Sequence, residues 1–159
     1  MKKIVIKIIR LAIGLFLYPC GIVMTINADL GLSTWDVLHQ GISKTTGITM
    51  GQASIIVGIA IIITTSFLGE RLGWGTLGNI IVIGVLLDFF LYHHVFPTFD
   101  SFIPSFIMLI VGIATMGLAT YFYMSAELGS GPRDSLMVAL KKRSKKSVRF
   151  IRFSIESVA

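Results

Sequence analysis

The charges in this chain are separated by gaps that few soluble folds could tolerate. Eighteen uncharged residues lie between Arg10 and Asp29, 25 between Lys44 and Glu70, 16 between Arg71 and Asp88, and 26 between Asp100 and Glu127. A helix needs about 20 apolar residues to cross a bilayer core, and there every backbone N–H and C=O must find a partner inside the protein. Only 14% of the residues are charged, against about 25% in ordinary soluble domains. This patterning excludes a soluble enzyme, a nucleic-acid-binding domain and a disulfide-stapled secreted module. It predicts an all-α, polytopic membrane protein.

The cations mark where the spans end. Lys2, Lys3, Lys7 and Arg10 precede the first apolar run, and Lys141, Lys142, Arg143, Lys145, Lys146, Arg149 and Arg152 crowd the end, so 11 of the 14 flank hydrophobic segments. Such flanking is how topology is encoded by the positive-inside rule, and the second cluster also suits anionic headgroups. The formal charge of +6 therefore points to a membrane surface, with no nucleic acid implied. The first segment imitates a cleaved signal, but the run Ile4 to Ile26 is longer than the usual apolar region of one. Leu17-Tyr18-Pro19-Cys20 has the position of a lipoprotein site, with bulky Tyr and Pro where small residues belong. The lone Cys20 allows no intrachain disulfide and supplies no metal-ligand spacing.

Four spans are expected, at about residues 4–26, 52–68, 75–96 and 102–124, with the opening of a fifth from 150. Two longer connections contain stretches, 33–46 and 131–144, that look helical but are too polar to span, and read as re-entrant or interfacial helices. An N-terminus in the cytoplasm puts 27–51 and the cation-free turn 97–101 outside, with Arg71 and the segment 141–152 inside. Every loop then obeys the charge rule.

Ala28-Asp29-Leu30-Gly31, followed by Asp36 and Leu38, recurs 98 residues later as Ala126-Glu127-Leu128-Gly129, followed by Asp134 and Leu136. The same shift relates Gly14 to Gly112 and Thr49 to Ser147. Three spans separate the copies, so the second is expected to be inverted, a construction frequent in secondary transporters, whose sites form near the midplane between the halves. The units are 1–98 and 99–159. The second is shorter, so the chain is expected to be part of a protein of about 200 residues. The alternative reading of the repeat is a duplicated scaffold without transport.

Each copy of the motif opens a short helix. Ser33 stands at the N-cap of the first, with Asp36 placed to reach back to the Ser33 backbone N–H in a capping box. Gly131 takes the N-cap of the second, Pro132 the favoured first helical position, and Asp134 matches Asp36. Trp35, Leu38 and Ile42 form an apolar stripe, and Asp36, Gln40 and Ser43 the polar one. The two carboxylates read as caps, or as part of a polar cavity in which facing helix N-termini, with Arg133, bind an anionic or polar group.

Gly31 through Gly41, Thr46-Gly47-Ile48-Thr49-Met50-Gly51, Gly73 through Asn79, Gly84 through Asp88 and Gly129-Ser130-Gly131-Pro132-Arg133-Asp134-Ser135-Leu136-Met137 resemble the signature stretches of the YczE/YyaS/YitT family of bacterial integral membrane proteins. The resemblance implies a multi-pass protein of the bacterial plasma membrane and assigns no mechanism.

Asp88 stands within the third span, where an unpaired charge costs at least about 2.5 kcal/mol. It reads as a protonatable group with a raised pKa for proton coupling, or as a hydrogen-bonded Asp near the outer interface. Asn79, Thr64 and Thr65 are expected to bond across helices, each for about 0.6 kcal/mol. Gly14, Gly21, Gly75, Gly78 and Gly84 should permit close helix approach, while Trp35, Trp74 and the Tyr92-His93-His94 run suit the interface. No nucleophile with its base, no metal set and no phosphate loop is present in the sequence. The expectation is a non-enzymatic transporter or permease-like protein with no cofactor or metal and with Asp36, Gln40, Asn79, Asp88, Arg133 and Asp134 along the pathway. Its partners would be the bilayer, anionic headgroups, a small-molecule substrate and, as an option, further copies of itself. The alternative is a membrane scaffold acting through Lys141 to Arg152.

Overall fold

A computed structural model describes residues 2–70, 73–144 and 146–158. Arg71, Lys145 and the side chains of Lys2 and Lys3, which the topological argument uses, lie outside the described residues. Among those described, the fold is all helical: α1 Lys2–Ala28, α2 Thr34–Thr46, α3 Met50–Phe67, α4 Trp74–Tyr92, α5 Phe102–Ser125, α6 Pro132–Ser144 and α7 Val148–Val158. Four of them, α1, α3, α4 and α5, are long and apolar enough to cross a membrane. A helix of 18 residues, the length of α3, spans about 27 Å. Large side chains such as Ile59 in α3, Ile81 in α4 and Ile107 in α5 stand exposed on these helices, as lipid-facing surfaces should.

Close helix approach sets the packing. α1 and α5 run antiparallel: a Cβ on Gly14 would sit 3.0 Å from the Ala119 carbonyl, and one on Gly21 would sit 2.8 Å from that of Gly112. α3 meets α4 in the same way, because a side chain on Gly51 would collide with the Gly84 carbonyl. Gly78 has only an ordinary contact, 3.7 Å from Leu15, and is not a packing glycine. Leu15, Val23, Leu87, Phe90 and Tyr123 fill the core between α1, α4 and α5. Thr64 and Thr65 do not bond across helices. Each donates to the carbonyl four residues back, Ala60 or Ile61, the acceptor nearest a hydroxyl on a helix.

Contacts at the helix ends define two faces. Lys7 pairs with Glu127 at 2.6 Å and Lys142 with Glu70 at 2.7 Å, which gathers the start of α1, the end of α3 and the end of α6 on one face. On the other, the Asn27 amide donates to the Phe96 carbonyl at 2.8 Å, and Gly51 at the start of α3 donates to Asp88 near the end of α4. α2 and α6 begin in the interior and run back to opposite faces, so neither spans. α4 stops at Tyr92, short of residue 96, because His93 caps it and His94 turns left-handed, with φ 47°.

The glycine contacts make opposite demands on two positions. Gly21→Val should lower stability by about 1–3 kcal/mol through overpacking, whereas Gly78→Ala should be neutral or stabilising by up to about 1 kcal/mol. Thermal unfolding of both variants in detergent checks the pair.

Candidate functional site

Each short helix is launched by a stretch that turns the chain back on itself. In the first, Asp29 and Gly31 take positive φ, 51° and 130°, and Ser33 caps α2. Its hydroxyl accepts from the Asp36 N–H at 3.3 Å and donates to the Asp36 carboxylate at 2.6 Å. The expected capping box is thus altered, because Asp36 takes the Ser33 hydroxyl in place of the backbone N–H. A complete box stands instead at α3, where Thr49 accepts from the Gln52 N–H and Gln52 accepts from the Thr49 N–H, both at 3.1 Å. The spacing Thr49-x-x-Gln52 carried that signal in the sequence.

In the second stretch Glu127 and Gly129 take φ 55° and 136°. This non-helical backbone is held by the first turn of α4. Gly75 N–H donates to the Leu128 carbonyl at 2.9 Å, and the Thr76 hydroxyl donates to the Ser130 carbonyl at 2.6 Å. Gly73 is required there, since a Cβ on it would lie 2.5 Å from the Leu128 carbonyl oxygen. α6 then opens at Pro132, and its first turn closes as Ser135 N–H donates to the Gly131 carbonyl at 2.9 Å.

The starts of α2 and α6 meet at a cavity of about 180 Å³ that residues of α1, α3, α4, α5 and α7 also line. Trp35 and Arg133 face each other across it, with the guanidinium carbon 4.7 Å from the ring centre, a cation–π contact strengthened by desolvation. Trp35 therefore belongs to the site and does not sit as an interfacial anchor. Asp36 and His39 are each 3% exposed. Burial pushes the Asp36 carboxyl up, against the opposing pull of the Ser33 hydrogen bond and the Arg133 charge. Burial and the same arginine push His39 down to about 4, so the imidazole is neutral at pH 7. Burial also lowers Arg133, against Tyr18, Asp36 and Asp134, yet a guanidinium stays charged.

Of the residues nominated from sequence, Asp36, Asn79, Gly131, Pro132, Arg133 and Asp134 line the cavity, and Ser33 holds Asp36 in place. Gln40 and Asp88 do not line it. Asp88 sits at the N-terminus of α3, accepting from the Thr49 hydroxyl and, at 2.7 Å, from the Gly51 N–H. His39, Tyr18, Tyr123 and the Arg152–Glu156 pair, 3.0 Å apart, also line the cavity and were not nominated. His39 follows Asp36 by three residues and so shares its helix face, a signal that was available. Tyr123 carried none, because a tyrosine near the end of an apolar helix reads as an interfacial anchor.

The chain is 35% identical over 147 residues to the uncharacterized membrane protein YczE of Bacillus subtilis, covering 90% of this chain and 66% of that one. It is also 35% identical over 133 residues to an uncharacterized protein of Haemophilus influenzae, covering 84% and 60%. Identity to the uncharacterized protein YyaS of Bacillus subtilis is 27% over 151 residues, covering 92% and 74%. The chain thus spans about two thirds or less of the length of the first two relatives. No solved structure matches it. The expected kinship with YczE and YyaS holds, and residues 5–159 match a family of unknown function, DUF6198. With four apolar helices fit to cross a bilayer, the chain is a membrane protein belonging to that family.

Proposed function

We propose that this protein is a small-molecule transporter or permease-like protein of the bacterial plasma membrane, built from two inverted halves, with its N-terminus in the cytoplasm. The observation that carries the reading is the cavity where the two re-entrant helices begin, with Asp36, Arg133 and Asp134 in its lining. Transporter sites lie at such junctions of broken or re-entrant helices, whereas a scaffold would pack the same helix starts dry.

Correspondences at a spacing of 98 residues support the inverted halves. α2 begins at Thr34 and α6 at Pro132, α3 at Met50 and α7 at Val148. The positive φ values of Asp29 and Gly31 return at Glu127 and Gly129. The contact of Gly14 with Ala119 exchanges with that of Gly112 with Gly21, as an axis relating two halves requires. Thr49 and Ser147 each accept from the N–H three residues on. The N-in orientation is supported by Lys7 and Lys142 lying on one face, the face with more cations. In this proposal the cavity binds and conducts without catalysis.

A second reading, a scaffold or regulatory partner, draws on the exposure of Lys141, Lys142, Arg143, Lys146 and Arg149. That segment would contact anionic headgroups or another protein, including a second copy of the chain. Under the first reading Asp88 anchors α3, because both of its oxygens are engaged at the N-terminus of that helix.

Two measurements follow. In a Cys20→Ala background, Asn79→Cys in vesicles should react with a water-soluble thiol reagent applied from either side. Reaction from one side alone, or from neither, would remove alternating access and leave the scaffold. Asp88→Ala should cost about 1.5–3 kcal/mol of stability through lost charge-assisted bonds, while Asp88→Asn should leave the pH dependence of any measured flux unchanged. Loss of that dependence in Asp88→Asn would return Asp88 to proton coupling.

A further inference from the structure

Among the described residues, three groups in the cavity make no hydrogen bond or ion pair, Arg133 having only the Trp35 ring beside it. The Tyr123 side chain is 4% exposed, it lines the cavity, and its hydroxyl has no hydrogen-bond partner among the described residues. The neighbouring Thr76 hydroxyl donates its proton to the Ser130 carbonyl, so toward Tyr123 it can act only as an acceptor. Arg133 and Asp134 line the same space, and neither makes an ion pair among the described residues. A buried hydroxyl and a half-buried charge are costly when left unpaired, so their joint presence marks a place for a ligand.

The other charges at the cavity are accounted for. Arg152 and Glu156 neutralise each other at 3.0 Å, while Asp36 accepts from the Ser33 hydroxyl and burial favours its uncharged form. What remains is one cation and one carboxylate, adjacent in sequence at the first turn of α6, with a hydroxyl opposite on α5. A lone anion would satisfy Arg133 and leave Asp134 without a counterpart, while adding net charge to a region of low dielectric. A lone cation would do the reverse. A molecule carrying both charges pairs with both and leaves the total unchanged. Size agrees with a small ligand: a cavity of about 180 Å³ is close to the roughly 150 Å³ cavity that accepts benzene, the scale of a small amino acid.

We infer that the cavity takes a small zwitterion of the α-amino-acid class, its carboxylate on the Arg133 guanidinium and the Tyr123 hydroxyl and its ammonium on the Asp134 carboxylate. This rests on the transport reading and specifies its substrate class. The Trp35 ring stacked on Arg133 keeps the guanidinium turned toward the site and removes one of its faces from competition.

The test is calorimetric titration of the intact chain in lipid nanodiscs with L-alanine, with propionate, which is alanine without its ammonium, and with ethylamine, which is alanine without its carboxylate. Alanine should bind, and the other two should bind about tenfold or more weakly, the loss expected for one charge-assisted hydrogen bond. Asp134→Asn should weaken alanine and strengthen propionate. Tyr123→Phe should preserve the thermal midpoint, because the hydroxyl supports nothing in the fold, and should weaken alanine severalfold. Propionate binding as tightly as alanine overturns the inference, as does alanine binding that neither substitution changes. Absence of binding by all three probes overturns it too. Thiol labelling of Asn79→Cys from both sides in that case shows that only the substrate class is wrong, whereas one-sided labelling shows that the transport reading has failed with it.

Discussion

The carbonyls of Leu128 and Ser130 sit in a stretch that is neither helix nor loop in water, and the rest of the site depends on how they are satisfied. Within a bilayer an unpaired carbonyl is prohibitive. The first turn of α4 meets this demand with the Gly75 N–H and the Thr76 hydroxyl, and Gly73 and Gly129 carry no side chains that would hold the two backbones apart. Docked in this way, the stretch can end inside the protein. α6 therefore starts at the cavity with Arg133 and Asp134 in its first turn.

The same constraint explains the distribution of polar side chains. Asp88 is tolerated near the end of α4 because the Gly51 N–H and the Thr49 hydroxyl lie beside it, and the start of a helix favours a carboxylate. Asp36 is tolerated because Ser33 donates to it. Arg133, Asp134 and the Tyr123 hydroxyl differ from these, being left with unused capacity in one small space. Among the described residues these three make no hydrogen bond or ion pair.

Much of this was legible in the residues. The gaps between charges marked four spans, and polar content set α2 and α6 apart from them. The repeated Ala-acid-Leu-Gly motif pointed to the starts of both short helices, and Asp36, Arg133 and Asp134 were nominated from it. What stayed open has physical causes. Gln40 shares a helix with Asp36 but does not line the cavity, and the two readings of Asp88 could not be separated locally because its hydrogen-bond partners are 37 and 39 residues away in the chain. Tyr123 was invisible for a similar reason: its hydroxyl matters only because α5 places it opposite α6.

The sequence by itself determined the class of protein, the number of apolar spans and the starts of the two short helices, because charge spacing, helix caps and left-handed glycines act over a few residues and leave local marks. Only the tertiary structure decided which polar groups are satisfied. That depends on partners distant in the chain, such as Asp88 at the head of α3, Trp35 over Arg133, and the carbonyls of Leu128 and Ser130 on α4. Satisfaction of a buried polar group is a property of the pair, and the pair exists only once the helices have packed.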